Sequence, residues 1–300
     1  MNKVLLEDVK WIEKLAAEHF SETKPKQIQR LGGMTNHSYA VTISDSRFVI
    51  RLPGEGTEQM INRRNEKAST QLACDLMVDV PMILFDENSG VKIMEYLDHA
   101  ETMSPQMLRE ENNLTAATEL FRILHHCGKD TGIRFEVFEM AENYEKVIFD
   151  NNVRLYMDYP SIRNRVMQLK QKTDRLMVEK VPCHNDPLCE NWIQNDERMY
   201  LIDWEYAGMN DPMWDLADLS IEAEYTHKID EQLLFAYLGG SPSEKEWLRF
   251  HANKIYLDFL WSLWGKTRVP FDGEEMEVYA LHRYKRLKDN LEKINTAEKI

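Results

Sequence analysis

Val181-Pro-Cys-His184-Asn-Asp186-Pro-Leu-Cys-Glu-Asn191-Trp-Ile193, followed by Ile202-Asp203-Trp204-Glu205 with Asp203 twelve positions after Asn191, is the stretch on which the reading of this chain turns. The first run has the form H-x-D-x-x-x-x-N; the second puts an acid at the end of an apolar pair. An aspartate able to accept a hydroxyl proton, with an asparagine and a second aspartate offering hard oxygens to Mg²⁺, is what phosphoryl transfer requires. Mg²⁺ gives up its waters reluctantly, so one or two carboxylates plus nucleotide oxygens suffice. The candidates are Asp186 as the base, His184 to hold the loop by hydrogen bonds, and Asn191 and Asp203 as metal ligands. A surface Asp–Asn turn beside a buried histidine explains the first run alone. It does not explain both runs at this spacing between apolar segments.

Working upstream, Gln27 to Leu31, Tyr39 to Ile43 and Arg47 to Leu52 have the composition of strands. Between the first two lies Gly32-Gly33-Met34-Thr35-Asn36, a small, polar turn whose backbone amides suit ATP phosphates. Taken alone it is an ordinary hairpin turn. Arg51 ends the next strand, where a kinase keeps the cation that clamps the phosphates and where an ordinary exposed arginine fits as well; Glu66, fifteen positions on in the following predicted helix, is placed to pair with it, though spacing alone does not prove contact. Met82 to Phe85 and Val91 to Leu97 are two further strands, and Glu95-Tyr96 is the candidate hinge that meets adenine. With Trp-Glu after Asp203 where a protein kinase has Phe-Gly, the set resembles the small-molecule kinases of the protein-kinase-like fold.

Beyond Tyr96 the composition changes. Residues 105–129 and 143–178 are long, periodic and charged, which predicts helices, and the chain from Asp215 onward is mostly helical. The expected fold is therefore α+β and bilobal. A small N-terminal ATP-binding lobe with an antiparallel sheet covers residues 1–97. A larger, mostly helical lobe covers 98–300. The 300 residues and 43% apolar content exclude a disordered chain. With 37 basic and 51 acidic residues, the net charge of −14 disfavours nucleic acid as a partner and suits a cationic small molecule. The four cysteines form no CxxC pair, no apolar run approaches ~18 residues, and the first eleven residues have no uncharged leader core. The expectation is a cytoplasmic protein without a membrane partner; oligomeric state is not legible.

Late in the chain, Trp261 and Trp264 lie at i,i+3, with Tyr279 beyond. Two indoles on one stripe form a core in most helices, but aromatic walls beside carboxylates also bind quaternary ammonium groups. Carboxylates are available at Glu205, Asp211, Glu222 and Glu224, and Glu222 with Tyr225 puts an anion and a ring on one helical face.

From Gly32-Gly33-Met34-Thr35-Asn36 through Cys183–Asn191, Leu201–Tyr206, Met209–Ala217 and Leu260–Trp264, the chain resembles bacterial choline kinases of the Lic type. The likeness spans about residues 28–287. It implies ATP- and Mg²⁺-dependent phosphorylation of choline to phosphocholine. By position it makes Asp186 the base, Asn191 and Asp203 the metal ligands with Glu205 in support, and Arg51 the phosphate clamp. Glu222, Trp261 and Trp264 would surround the trimethylammonium group, with Tyr225 and Tyr279 less securely aligned. Pro187 departs from the familiar loop. The competing expectations are a kinase of ethanolamine or an aminoglycoside, and a non-catalytic pseudokinase that binds a quaternary amine.

Overall fold

A computed structural model describes residues 5–21, 24–32, 36–54 and 61–297. In chain order its elements begin α1 (Leu6–Phe20), β1 (Gln27–Gly32), β2 (His37–Ile43), β3 (Ser46–Leu52), α2 (Arg63–Asp75), β4 (Met82–Phe85), β5 (Lys92–Glu95) and β6 (Glu101–Thr102). Then come α3 (Pro105–Leu108), α4 (Glu111–His125), α5 (Val137–Asp150), α6 (Tyr159–Asp174), β7 (Val181–Cys183), β8 (Trp192–Gln194), β9 (Met199–Leu201) and β10 (Gly208–Asn210). The last four are α7 (Met213–Glu222), α8 (His227–Leu238), α9 (Glu244–Asp272) and α10 (Glu274–Ala297). The chain divides into two units. One comprises Met1–Met103 and Glu190–Ala207; the other comprises Ser104–Cys189 and Gly208–Ile300.

The first unit is built on an antiparallel sheet in the order β1-β2-β3-β5-β4. The two-residue period of a strand sorts its side chains onto two faces. Tyr39, Val41, Ile43, Ile50, Leu52 and Ile93 are buried against Ile12, Leu15 and Ala16, which share one stripe of α1. The opposite face carries Val49 and Met94 among a second apolar cluster with Val80 and Tyr200, and it carries two cations as well. Arg51 and Lys92 are register partners on adjacent strands. Like charges placed opposite each other are destabilising, so this face needs an acid between them.

Glu190–Ala207 returns to this unit: β8 pairs with both β6 and β9, and Leu201 N–H donates to Val78 O at 3.0 Å. β5 is shorter than the strand expected from Val91 to Leu97, because its pairing with β3 runs only from Phe48 to Arg51.

In the second unit the expected helix over 143–178 is two helices. The chain turns at Asn152, whose φ is 55°, and Pro160 sits in the first turn of α6. Residues 105–129 divide likewise into α3 and α4. α9 runs for 29 residues, and α10 folds back along it, as the pairs Lys266–Glu277 and Asp258–Arg286 record. Gly265 permits the close approach. A Cβ there would stand 2.8 Å from Tyr279 Cδ1 and 3.1 Å from Ala280 Cβ. Among the described residues, no helix is long and apolar enough to cross a membrane.

Candidate functional site

In the sheet-bearing unit, Glu66 is the acid between the two cations. Asn62 caps α2 by accepting from Arg64 and Asn65 N–H, and that starts the helix so that Glu66 faces the sheet. Glu66 contacts Arg51 Nη2, accepts from Arg63 Nη1 at 2.8 Å, and lies 3.9 Å from Lys92 Nζ. Arg51 also donates to Asp203 Oδ1 at 2.5 Å and stands 4.0 Å from Glu205 Oε2. Burial works against the Arg51 charge, but Asp203, Glu66 and Glu205 outweigh it and hold the guanidinium firmly protonated. Asn36 Nδ2 donates to Glu205 Oε2 at 3.0 Å, while Asn36 Oδ1 is buried without a partner. Burial, reinforced by Asp203, pushes the Glu205 carboxyl up to about 7.

Asn191 and Asp203 come together because Ile202 N–H donates to Asn191 O at 2.9 Å. Asp203 holds φ at 72°, a left-handed conformation that is strained for a residue with a Cβ and that gathers at functional sites. The Asp203 carboxylate and the Asn191 amide oxygen are hard donors of the kind Mg²⁺ takes, and Glu205 adds a carboxylate to the electrostatics of Asp203. Gly32 closes β1 where its register shifts, and Gly33 and Thr35 lie outside the described residues. Glu95 is exposed at the end of β5, with its N–H donating to Pro81 O; the Tyr96 ring lies under Arg47, 3.6 Å from its guanidinium carbon.

Asp186 belongs to the helical unit. Its loop leaves β7, which pairs with β10, and is held at the backbone by Asp215 of α7. Asp215 accepts from His184 N–H and Asn185 N–H, each at 2.8 Å, and from His125 Nε2 at 3.0 Å. Trp214 Nε1 donates to Asn185 O at 3.0 Å, and Asn185 holds φ at 69°. Asp186 N–H donates to His184 Nδ1 at 3.3 Å, so the buried His184 ring sets the turn that presents the half-buried Asp186. His125, Cys183 and Asp215 offer ligand atoms within 4.8 Å of one another, but those groups are occupied: His125 Nδ1 meets Tyr237 Oη, and Cys183 Sγ donates to Asn210 O.

The same unit assembles most of the predicted acceptor wall. Trp264 meets Trp261 edge-on at 6.2 Å and Tyr279 edge-on at 5.8 Å. Arg283 lies over the Tyr279 ring at 5.1 Å and donates to Glu222 Oε1 at 2.6 Å. Trp261 is buried, whereas Trp264 and Tyr279 are half-buried and present ring surface. Burial pushes the Tyr279 hydroxyl up to about 12, with Glu222 and Asp186 close enough to add to the effect. Tyr225 goes elsewhere, donating to Leu108 O at 2.6 Å.

A family model described as choline/ethanolamine kinase matches residues 27–283. The chain belongs to the choline/ethanolamine kinase family. It is 32% identical to choline kinase LicA from Streptococcus pneumoniae, whose crystal structure superposes with a TM-score of 0.83 and covers 96% of this chain and 99% of that one. A choline/ethanolamine kinase family protein from Mesorhizobium loti is 34% identical, with a TM-score of 0.85 and coverage of 96% and 95%. Protein LicA of Haemophilus influenzae is 28% identical over 273 residues, 88% of this chain and 80% of the relative. As expected, the architecture is that of the kinase-like fold.

In this choline/ethanolamine kinase family member, sequence reasoning passed over Lys92, Tyr144, Asp218 and Arg283, and it gave Asp215 no role of its own. Tyr144 of α5 lies near Asp186 and Tyr279, and its hydroxyl is pushed well above the usual range, first by burial. One signal was legible: Asp215, Asp218 and Glu222 recur at i, i+3 and i+7, which is one face of a helix.

Proposed function

We propose that the protein is an ATP-dependent choline kinase that transfers the γ-phosphoryl group to the choline hydroxyl and yields phosphocholine. One observation carries the choice of acceptor: the edge-on set Trp261–Trp264–Tyr279 occurs in the same unit as Asp186, with Glu222 beside it. A methylated ammonium asks for ring faces and has no N–H to satisfy, and each well-placed ring contributes ~0.5–2 kcal/mol. A primary ammonium asks for three acceptors. Glu222 is already engaged by Arg283, which favours choline over ethanolamine.

In this reading Asp186 accepts the proton of the choline hydroxyl as the oxygen attacks phosphorus, and His184 and Asp215 keep that carboxylate on station. Arg51, fixed by Glu66, supplies positive charge beside the nucleotide phosphates; Gly32 and Asn36, which flank Gly33 and Thr35 in sequence, would border them. Asn191 and Asp203, supported by Glu205, would hold Mg²⁺, which supplies charge neutralisation when bound. Glu95 and Tyr96 would border adenine. The transition state of phosphoryl transfer is loose, so the side chains contribute positioning and electrostatics rather than covalent chemistry.

The test is release of ADP from ATP and Mg²⁺ with choline or ethanolamine as acceptor. Choline-dependent ADP at a kcat/KM above that for ethanolamine is expected. ADP release that ignores choline would leave a quaternary-amine sensor in place of a kinase, and a preference for ethanolamine would reverse the acceptor.

A further inference from the structure

The acidic stripe on α7 meets three different fates. Asp215, at its start, grips the loop that carries Asp186. Glu222, at its end, is neutralised by Arg283 at 2.6 Å. Asp218 sits between them on the same face, with Glu222, Asp186, Arg283 and Asp215 as its electrostatic neighbours. Its side chain is fully buried, and neither carboxylate oxygen has a hydrogen-bond partner.

Such a group is costly. A buried carboxylate without partners is destabilising, and a chain selected for stability alone would replace it. The one cation among its electrostatic neighbours is shared. Arg283 bonds Glu222 and lies 3.5 Å from Asp258, which in turn takes both arms of Arg286 at 2.8 and 2.6 Å. Two arginines and two acids thus balance, and Asp218 is the acid beside them whose carboxyl oxygens no cation reaches by a hydrogen bond. Asp186 has its own task at the hydroxyl.

We propose that Asp218 is the specificity-determining anion of the acceptor site: its buried carboxylate supplies the field that selects a cationic alcohol, while Glu222, compensated by Arg283, shapes the wall. This rests on the reading of the protein as a kinase of a cationic alcohol. Because its oxygens are enclosed, Asp218 acts through space and is a positioning residue. A low-dielectric interior is where a charge a few ångströms away retains its strength. Burial first, then Glu222 and Asp186, push the Asp218 carboxyl well above the usual range, and a cation arriving beside it favours the ionised form, the proton passing to solvent.

The experiment compares choline with its neutral carbon isostere, 3,3-dimethyl-1-butanol, on wild type, Asp218→Asn and Asp218→Leu. For choline, both variants should raise KM and Kd about tenfold, with kcat changed far less. For the isostere, the values should stay at wild-type level. The melting temperature should hold or rise, because the costly group is gone. An equal loss for both alcohols, or an unchanged choline affinity, overturns the proposal. So does a failure of both variants to fold, since that would make Asp218 a structural acid. A wild-type protein that neither binds nor phosphorylates choline overturns the kinase reading, and this inference with it; an active wild type with unaltered variants overturns the inference alone.

Discussion

Asp186 owes its position to backbone amides at His184 and Asn185, which bond Asp215, and to a ring nitrogen at His184. Asp186→Ala should lower kcat by ~10²–10⁴ while the KM for ATP stays within about twofold. Turnover near wild type would remove Asp186 from the role of base. Trp264 is a different kind of residue. It is half-buried and stands between Trp261 and Tyr279, so truncation removes a wall without emptying the core. Trp264→Ala should raise the KM for choline by roughly 3- to 30-fold, the equivalent of ~0.5–2 kcal/mol of ring contact. An equal rise in the KM for ATP would mark Trp264 as core packing instead. At this scale the residue types were legible in the sequence, and their partners were not. Nothing in the spacing of Glu222 foretells Arg283, which lies 61 positions away.

The α9–α10 hairpin fixes where the wall stands. Gly265 lets Tyr279 approach, and a methyl group placed there meets the ring at 2.8 Å and the Ala280 backbone at 3.3 Å. In an open helix Gly→Ala gains about 1 kcal/mol from propensity. Here overpacking costs about 1–3 kcal/mol and prevails. Gly265→Ala should lower the melting temperature and raise the KM for choline several-fold without touching that for ATP. A higher melting temperature with unchanged kinetics would show that the two helices yield freely. Helix periodicity pointed to α9, but not to the break between α5 and α6. Asn152 in the left-handed region and Pro160 at a helix start are local features that a period of 3.6 averages away.

Across the whole molecule, a charge of −14 coexists with acids held out of water in both units. Burial pushes the carboxyls of Asp79 and Glu205 up to about 7. Below pH ~4 these acids are protonated whether the chain is folded or not, and they leave stability unchanged. Between ~4 and ~7 the unfolded chain releases those protons and the folded one keeps them, so stability falls as pH rises. For the buried Asp79 the penalty is on the order of a few kcal/mol. In metal-free buffer, Asp79→Asn should melt higher than wild type at pH 8 and match it near pH 4. A constant difference across that range would show that Asp79 does not titrate on unfolding. The sequence by itself determined the kinase-like α+β architecture and pointed to the residue types that the proposed function uses, from His184 to Asp203 and at Trp261 and Trp264. Hydrophobic periodicity and short motif spacing are local, and they act through neighbours in the chain. Only the tertiary structure decided that Glu190–Ala207 returns to the sheet-bearing unit, that Glu66 separates Arg51 from Lys92, and that Asp218 is buried without a partner. Those are balances of charge and burial between segments far apart in sequence, and such balances exist only once the chain has packed.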